Sequence, residues 1–444
     1  MVVRDPDAQA TKERTIFRAV EVENSSNFLR TEDSAVHGWY RFVLSFPPHL
    51  VREYLARLAP EGGAILDPFC GTGTTVVEAK KLGLKSYGIE ASPMAHFAAS
   101  VKTAWEVDPI GLVRAAKRVA SRASAELAAV GMKDEVSNVN IRKASRSLDV
   151  DAMSILISGS ISPSPLHKVL VLVDEIRRVT NNEYRDLMML AVARLLPCDF
   201  GNLRFGPEVG LGTVKTDVAV IAPWLECIET CAADLRAVGV GKPTKVFHSD
   251  ARGLPNGIRN GSIGSVFTSP PYPNEKDYTR TTRLESVVLG FYKDKRGLRE
   301  CKQSLLRSNT RNIYVGDKDS FSIQHLPSVT NLAAEIESRR LDLGKTSGFE
   351  KNYHKVVLHY FGGMARHLEA LRPKLRDGAR LGYVVGDQAS FFRVLIRTGE
   401  LLAEVAEPLG YEVESLDLFR TRLATATRAQ LREEVLVLRW RGKA

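Results

Sequence analysis

The sequence predicts an α/β protein built around a largely parallel β-sheet. The first observation is a series of strand, glycine turn, helix, strand and acidic residue over residues 64–90, which is the pattern of a βαβ unit. The second is that two further apolar runs, at 244–250 and 262–268, are bounded by turn residues, as strands are. The third is a pair of strand-like segments at 411–419 and 434–440, separated by a basic loop. Parallel strands require crossover connections, which the helical stretches between these runs supply.

The elements of the first unit follow from its proline, glycine and serine residues. Pro48 can open a helix because its missing N–H has no partner in a first turn. Gly83 is typical of a helix end, and Ser92 can cap the helix that follows the second strand. The predicted elements are a helix at 49–58, a strand at 64–66, a helix at 75–82, a strand at 85–90 and a helix at 93–101.

The rest of the chain is less regular. Residues 105–200 are mostly helix-like without an assigned motif, and residues 274–350 are polar, basic in places and poorly periodic, which indicates a loop and helix insertion. No internal repeat or low-complexity tract is found. The remaining predicted elements are helices at 217–238, 354–371 and 397–408, and strands at 244–250, 262–268, 379–385, 411–419 and 434–440, with a basic loop at 420–432.

Length and composition favour a protein with a nucleic-acid partner, but they exclude few other classes of protein. The 444 residues can hold one catalytic domain of about 250 residues with insertions, or two to three domains. A net charge of +10 suits a polyanion, although a generally basic protein has the same balance. The five cysteines show no metal-ligand spacing, and Cys227 and Cys231 are expected to be buried small residues. No apolar run reaches about 18 residues and the N-terminus is polar, so no membrane span and a cytoplasmic location are expected.

The first glycine turn has the features of a pocket for a nucleotide-like ligand. Gly71 and Gly73 lack a Cβ, so the backbone can turn sharply and approach a ligand closely. The helix that follows offers free N–H groups at its start. No Gly-Lys-Ser/Thr follows, which excludes a phosphate loop, and Val76 at the third glycine position argues against a nicotinamide dinucleotide site.

The second motif is Thr-Ser-Pro-Pro-Tyr at 268–272. The Ser269 hydroxyl and the Pro270 carbonyl can accept hydrogen bonds from an amino group, and the two prolines make the backbone rigid. Tyr272 offers a flat face on which a flipped base could stack. The structural alternative is an ordinary proline-rich turn after a strand.

Together, the two motifs resemble those of the DNA amino-methyltransferases, which use S-adenosylmethionine. The resemblance rests on Asp-Pro-Phe-Cys-Gly-Thr-Gly-Thr-Thr at 67–75, followed by the Thr-Ser-Pro-Pro-Tyr run, each after a strand-like segment. It covers roughly 37–102, 245–290 and 355–440. It implies a doubly wound, Rossmann-like class I methyltransferase fold with a mostly parallel seven-stranded sheet and a late antiparallel strand.

The resemblance also implies a division of the chain. The two insertions are not covered by it, and either could carry target recognition; the second is favoured because it follows the catalytic motif directly. The expected segments are a flexible lead at 1–36, a cofactor-binding part at 37–104, a helical insertion at 105–200, a part with the catalytic motif at 201–273, a basic insertion at 274–350 and a C-terminal catalytic part at 351–444.

The implied cofactor is S-adenosylmethionine, converted to S-adenosylhomocysteine without a metal. Asp67 and the turn at 69–73 would hold the methionine end, and Glu90 would accept hydrogen bonds from the ribose hydroxyls. Asp250 would face the adenine amino group, although it could instead cap a loop. The full implied cofactor set is Tyr40, Phe46, Pro47, Asp67, Phe69, Cys70, Gly71, Gly73, Thr74, Thr75, Glu90 and Asp250.

The implied catalytic residues are Ser269, Pro270, Pro271 and Tyr272. A cytosine N4 amine is a poor nucleophile, and acceptors aimed at its N–H groups favour a more pyramidal nitrogen that can attack a methyl group in line. Serine in place of aspartate at the first position favours cytosine N4 over adenine N6 in this family. The alternatives are adenine N6 methylation, RNA amine methylation and a catalytically silent nucleic-acid-binding module.

The implied partner is double-stranded DNA. Lys276, Arg280 and Arg283 could contact phosphates beside a flipped nucleotide, or pair with nearby acids. Arg307 and Arg311 are candidate DNA contacts in the second insertion, since arginine pairs well with guanine edges. The family setting implies a restriction–modification system with a cognate endonuclease, no membrane, and a monomer or homodimer.

Overall fold

The structure is a computed structural model, and its central feature is a seven-stranded sheet. Residues 1–28 of the lead predicted at 1–36, and residues 424–429 of the loop predicted at 420–432, lie outside the described residues. The described residues are 29–42, 45–59, 62–136, 146–206, 208–274, 276–423 and 430–442.

Nine strands are found in this part of the chain, and seven of them form the main sheet. Their order is β5-β2-β1-β6-β7-β9-β8, with parallel pairing from β5 to β7 and antiparallel pairing of β9 with both neighbours. This confirms the predicted sheet, including its late antiparallel strand. The strands are β1 Ala64–Asp67, β2 Ser86–Glu90, β3 Leu203–Phe205, β4 Val209–Leu211, β5 Thr244–His248, β6 Ile263–Thr268, β7 Leu375–Gly386, β8 Tyr411–Leu423 and β9 Gln430–Trp440.

Helices cover the sheet and build the two insertions. None of the described helices is long and apolar enough to cross a bilayer. The α-helices are Ser34–His37, Pro48–Leu58, Thr74–Lys81, Pro93–Thr103, Pro109–Ala129, Val150–Ile155, Pro163–Arg177, Asn182–Leu195, Ile221–Val238, Tyr278–Thr281, Arg283–Val288, Lys295–Ser304, Pro327–Asp342, Tyr353–Leu371 and Thr398–Ala406.

The first insertion is helical, as the sequence indicates, and it shares one hydrophobic cluster with helix 221–238 and with helix 93–103 of the first βαβ unit. Helices 109–129, 163–177, 182–195 and 221–238 pack around buried Trp224, whose Nε1 donates to a backbone carbonyl 3.0 Å away. The last of these helices begins four residues later than predicted. Its first N–H groups donate to a carboxylate far away in the sequence, that of Asp134, so a distant side chain determines the start.

Both described parts of the segment predicted as a basic loop at 420–432 are strand, namely 420–423 and 430–432. β8 continues to Leu423 and β9 begins at Gln430, so most of the charged residues lie within the hairpin. Arg420 lies opposite Glu433, and its Nε is 2.5 Å from a carboxylate oxygen of that residue. The prediction was wrong at 420–423 and 430–432 because the described arginines have partners that the local sequence does not reveal. Arg420 and Arg422 pair with Glu433 across the strands. Arg432 pairs with Asp387 and Glu400 outside the hairpin.

The second insertion packs directly on helix 353–371. Gly362 lies under the backbone of Asp319, and a Cβ at this glycine would collide with the Asp319 carbonyl oxygen. A part of the second insertion is therefore packed against the core of the sheet.

Replacing Gly362 by alanine is expected to lower the free energy of unfolding by about 1–3 kcal/mol, because the added methyl forces two backbones apart. Chemical denaturation would measure it. The matched control is Gly253→Ala, where a Cβ would meet nothing within 4 Å, and a change within about 0.5 kcal/mol is expected. Equal stability of the two variants would contradict the packing argument.

Candidate active site

A cavity of about 570 Å³ opens at the carboxyl ends of the parallel strands. The strand order places the loops after β5, β2, β1 and β6 side by side along this edge. Ligands of open α/β sheets bind in the crevice at this edge, where the strand order reverses. The position of the cavity thus follows from the topology.

The glycine turn after β1 forms one wall of the cavity. Gly71 has φ of 52° and a Cβ there would meet nothing within 4 Å, so this glycine presents bare backbone to open space. Gly73 has φ of 89°, and a Cβ there would lie 3.2 Å from Ala99. The first glycine thus serves the cavity, whereas the second allows two helices to pack closely.

Asp67 connects the two motifs beneath the cavity. It is fully buried, and its Oδ1 accepts hydrogen bonds from the Thr268 hydroxyl at 2.6 Å and the Phe69 N–H at 3.2 Å. Its Oδ2 is buried without a hydrogen-bond partner in the described residues. Burial raises the pKa of this carboxyl to about 7.

Asp67→Asn is expected to gain thermal stability relative to the unmutated protein as the pH rises from 4.5 to 7.5. The folded carboxyl holds its proton up to about pH 7, whereas an unfolded one loses it near its ordinary value of 3.8. The native state therefore binds more protons in this window, and its stability falls as the pH rises. Asparagine does not titrate. A difference in melting temperature that stays constant with pH would contradict the assignment.

Glu90 ends β2 and faces the cavity from beside the glycine turn. Its Oε2 accepts from the Gly71 N–H and its Oε1 from the Ser92 N–H, both at 2.7 Å. Burial raises the pKa of Glu90. Each carboxylate oxygen keeps acceptor capacity, because an ionised carboxylate has about four lone-pair sites.

The Ser-Pro-Pro-Tyr loop after β6 lines the same cavity with all four of its residues. The Ser269 hydroxyl donates to the Val384 carbonyl at 3.2 Å and is also a hydrogen-bond neighbour of the Tyr272 phenol. A hydroxyl oxygen has two acceptor lone pairs, so it keeps the capacity to accept. The Tyr272 ring lies against Gly386, where a Cβ would be 3.2 Å from the ring. Burial raises the pKa of the Tyr272 phenol well above its ordinary value, so it stays protonated.

The segment before β1 is held to both motifs. The Tyr40 hydroxyl donates to Glu285 at 2.8 Å, and Lys102 donates to the carbonyls of Tyr40 at 3.2 Å and Thr72 at 2.9 Å. Burial lowers the pKa of Lys102 to about 7. Phe46 lines the cavity and packs edge-on against Phe267. The sequence analysis missed Lys102, because a lysine in the last turn of a helix usually faces solvent.

The predicted cofactor residues divide into two groups. One group lines the cavity and the other does not. In the second group Gly73 is in the turn, Thr75 is in helix 74–81 and Pro47 directly precedes helix 48–58. The residues that line the cavity are Phe46, Phe69, Cys70, Gly71, Thr74, Glu90 and Asp250; those that do not are Tyr40, Pro47, Asp67, Gly73 and Thr75.

Of the predicted DNA contacts, Lys276 alone lines the cavity. Arg307 is buried and forms an ion pair with Asp317, and Arg283 donates to the carbonyls of Thr279 and Ile155. These two guanidinium groups hold the fold together, so they are not free donors for DNA. Arg280 is half-buried, and exposed Arg311 has its guanidinium 5.4 Å from the Phe349 ring centre.

Three cavity walls were not anticipated from the sequence. Tyr278 and Phe42 add a second aromatic cluster, with ring centres 5.9 Å apart, and residues 304–309 form a wall from the second insertion. Arg422 and Glu433 contribute from the last hairpin. No local pattern marks these residues, because they reach the cavity only through long-range packing.

Proteins with sequences similar to this chain include Type II methyltransferases, which agrees with the two motifs that line the cavity. The family model described as DNA methylase, of the N6/N4 type, matches residues 7–100. The chain is 24% identical to the Type II methyltransferase M.BsoBI of Geobacillus stearothermophilus over 427 residues, which are 87% of this chain and 80% of that protein. It is 26% identical to M.AvaI of Nostoc sp. over 196 residues, 40% of this chain and 37% of that protein. It is 42% identical to M.MjaII of Methanocaldococcus jannaschii over 67 residues, 15% and 13% of the two chains.

Within the described residues, no three His, Cys, Asp or Glu side chains group as metal ligands.

The seven-stranded sheet with its reversed β9 is the expected methyltransferase topology, and both sequence motifs meet in one cavity at its carboxyl edge. With the family match and the Type II relatives, these findings make the chain a member of the DNA amino-methyltransferase family.

Proposed function

We propose that the protein transfers a methyl group from S-adenosylmethionine to the exocyclic N4 amine of cytosine in duplex DNA. The observation that carries the proposal is the meeting of the glycine turn at 71–73 and the loop at 269–272 in one cavity, with the Thr268 hydroxyl bonded to Asp67 between them. The target base would be flipped out of the duplex, because its amine is not accessible for attack within the helix.

The residues of the first wall suit the proposed cofactor. Gly71 presents bare backbone to the cavity, Asp67 holds the base of the glycine turn through the Phe69 N–H, and Glu90 keeps acceptor capacity toward two hydroxyls. The order of these groups along the sheet edge matches an extended ligand with a charged amino acid end, a ribose and a base. When bound, S-adenosylmethionine supplies an electrophilic methyl group on a sulfonium.

The residues of the second wall suit a flat amino-bearing base. Tyr272 offers a ring held in place by Gly386, with Tyr278 and Phe42 nearby. Because the Ser269 hydroxyl donates to Val384, its oxygen is oriented to accept a hydrogen bond from the amine. The Pro270 carbonyl is the second proposed acceptor. Two such acceptors would favour a pyramidal nitrogen whose lone pair can attack the methyl carbon. The N–C bond would form as the bond between methyl and sulfur breaks, S-adenosylhomocysteine would leave, and the extra proton on the nitrogen would pass to water.

Serine at position 269 supports cytosine N4 as the target, because the adenine N6 enzymes of this family more often carry aspartate there. The net charge of +10 supports a DNA substrate. Lys276, which lines the cavity, and exposed Arg311 are the proposed phosphate contacts among the predicted basic residues. The wall formed by residues 304–309 supports the assignment of the second insertion to the substrate side.

The decisive experiment incubates the protein with labelled S-adenosylmethionine and mixed-sequence duplex DNA, followed by mass spectrometry of the nucleosides. N4-methylcytosine is the expected product. N6-methyladenine would overturn the choice of base but keep the site, and label in RNA alone would overturn the choice of DNA. Labelled DNA that is formed equally by Tyr272→Ala would overturn the proposed base-stacking wall, because loss of stacking should cost about tenfold or more.

A further inference from the structure

We infer that Arg252 is a positioning residue that holds the carboxylate of Asp250 for the amino group of the cofactor's adenine. The inference rests on the cofactor site proposed above and goes beyond it, because Arg252 does not line the cavity. It makes selection of the cofactor's base depend on a buried arginine and on the second insertion.

The contact between the two side chains is bidentate. The Arg252 Nε lies 3.0 Å from Asp250 Oδ1, and its Nη2 lies 2.7 Å from Oδ2. The arginine is only 9% exposed, whereas the aspartate side chain is 33% exposed and lines the cavity. A planar guanidinium fork restrains both the position and the plane of a carboxylate, which a lysine could not do.

The far side of Arg252 is held by the second insertion. Its Nη1 lies 2.5 Å from a carboxylate oxygen of buried Asp319, and its Nη2 also donates to the Gln303 carbonyl at 3.2 Å. Asp319 forms a second ion pair with Arg366. With three partners in two segments, the guanidinium of Arg252 has little freedom to turn, so the insertion determines how Asp250 faces the cavity.

The position of Asp250 in the sheet indicates what it faces. β5 is the edge strand beside β2, and the Ser249 N–H donates to the Glu90 carbonyl at 3.1 Å, so the loops after these two strands are neighbours. A ligand with its ribose at Glu90 and its sulfonium near the glycine turn therefore extends its base toward Asp250. The carboxylate oxygens keep lone pairs beyond those used by Arg252, and these can accept an exocyclic N–H. A carbonyl oxygen at the same place on the base would meet a negative charge.

The test compares S-adenosyl-L-homocysteine with S-inosyl-L-homocysteine, in which an oxygen replaces the adenine amino group. Titration calorimetry on the full chain is expected to show that the protein binds the adenine compound at least about tenfold more tightly. In Arg252→Met the ratio of the two dissociation constants is expected to fall to about 2 or less, with the affinity for the inosine compound within about threefold. The matched control Arg366→Met removes the other partner of Asp319 and is expected to keep the ratio.

The outcomes separate this inference from the function on which it rests. If Arg252→Met weakens both compounds equally, or keeps the ratio, Arg252 has no positioning role. If the unmutated protein binds both compounds equally well, Asp250 does not read the adenine. If it binds neither, the proposed cofactor site itself is wrong. Should the methionine variant fail to fold, Arg252→Lys replaces it; the loss of the bidentate contact is then expected to cut the ratio by about threefold, and an unchanged ratio would overturn the inference.

Discussion

Replacing Ser269 by alanine is expected to lower the rate of methyl transfer by about 10²- to 10³-fold, the range found when one preorganised polar contact to a reacting group is removed. In the proposed reaction the serine oxygen accepts a hydrogen bond from the target amine, and its own proton is held by the Val384 carbonyl. Binding of S-adenosylhomocysteine should stay within about twofold. Single-turnover transfer of label to DNA measures the rate, and calorimetry measures the affinity.

The matched control for this variant is Ser304→Ala. Ser304 lines the same cavity, but its hydroxyl donates to the Cys301 carbonyl of its own helix at 2.7 Å. Its loss should change the rate by less than about threefold, because a local hydrogen bond of this kind contributes about 1 kcal/mol or less. Unchanged transfer in Ser269→Ala with normal cofactor binding would refute the catalytic assignment.

Glu90→Ala is expected to weaken S-adenosylhomocysteine binding by about 100-fold. Two hydrogen bonds from ribose hydroxyls to a carboxylate are worth about 1.5 kcal/mol each, and every 1.4 kcal/mol is a factor of ten. The substitution also removes the acceptor for the Gly71 and Ser92 N–H groups, which loosens the turn. Calorimetry measures the change. Unaltered affinity would show that the ribose lies elsewhere.

Two further variants sharpen this result. Glu90→Gln keeps the size of the side chain and two acceptor lone pairs but removes the charge. It should weaken S-adenosylhomocysteine binding by about tenfold, so that the effect of the charge can be distinguished from the effect of the side chain's shape. Glu106→Ala removes an exposed acid at the end of the next helix and should bind normally. If Glu106→Ala lost as much affinity as Glu90→Ala, net charge rather than a specific contact would explain the effect.

The first βαβ unit could be predicted because its signals are local. Pro48 opens a helix at the observed residue, Gly83 follows the end of the next one, and β2 ends at Glu90 as expected. The meeting of the two motifs could be predicted from topology alone, since parallel strands bring their carboxyl ends to one edge.

What could not be predicted depends on partners far away in the sequence. The start of helix 221–238 is determined by Asp134. The charged ends of β8 and β9 are strand because their arginines pair with acids across the hairpin or in neighbouring elements. Lys102 and Arg252 look like surface residues in the sequence, yet the fold buries both against carbonyl or carboxylate oxygens. The local sequence around a lysine or an arginine does not indicate that the fold will bury its side chain.

The strand order also has a consequence for the time course of folding. Asp67 and Thr268 are hydrogen-bonded neighbours although 201 positions separate them, and β9, close to the C-terminus, must join the same sheet. The helical cluster around Trp224 makes contacts over far shorter separations, such as the 36 positions to Met188. Contacts between distant residues form slowly because long loops must close first. Helical structure should therefore return early in refolding, and the cavity at the sheet edge, which needs β1, β2, β5 and β6 to pair, should be completed later.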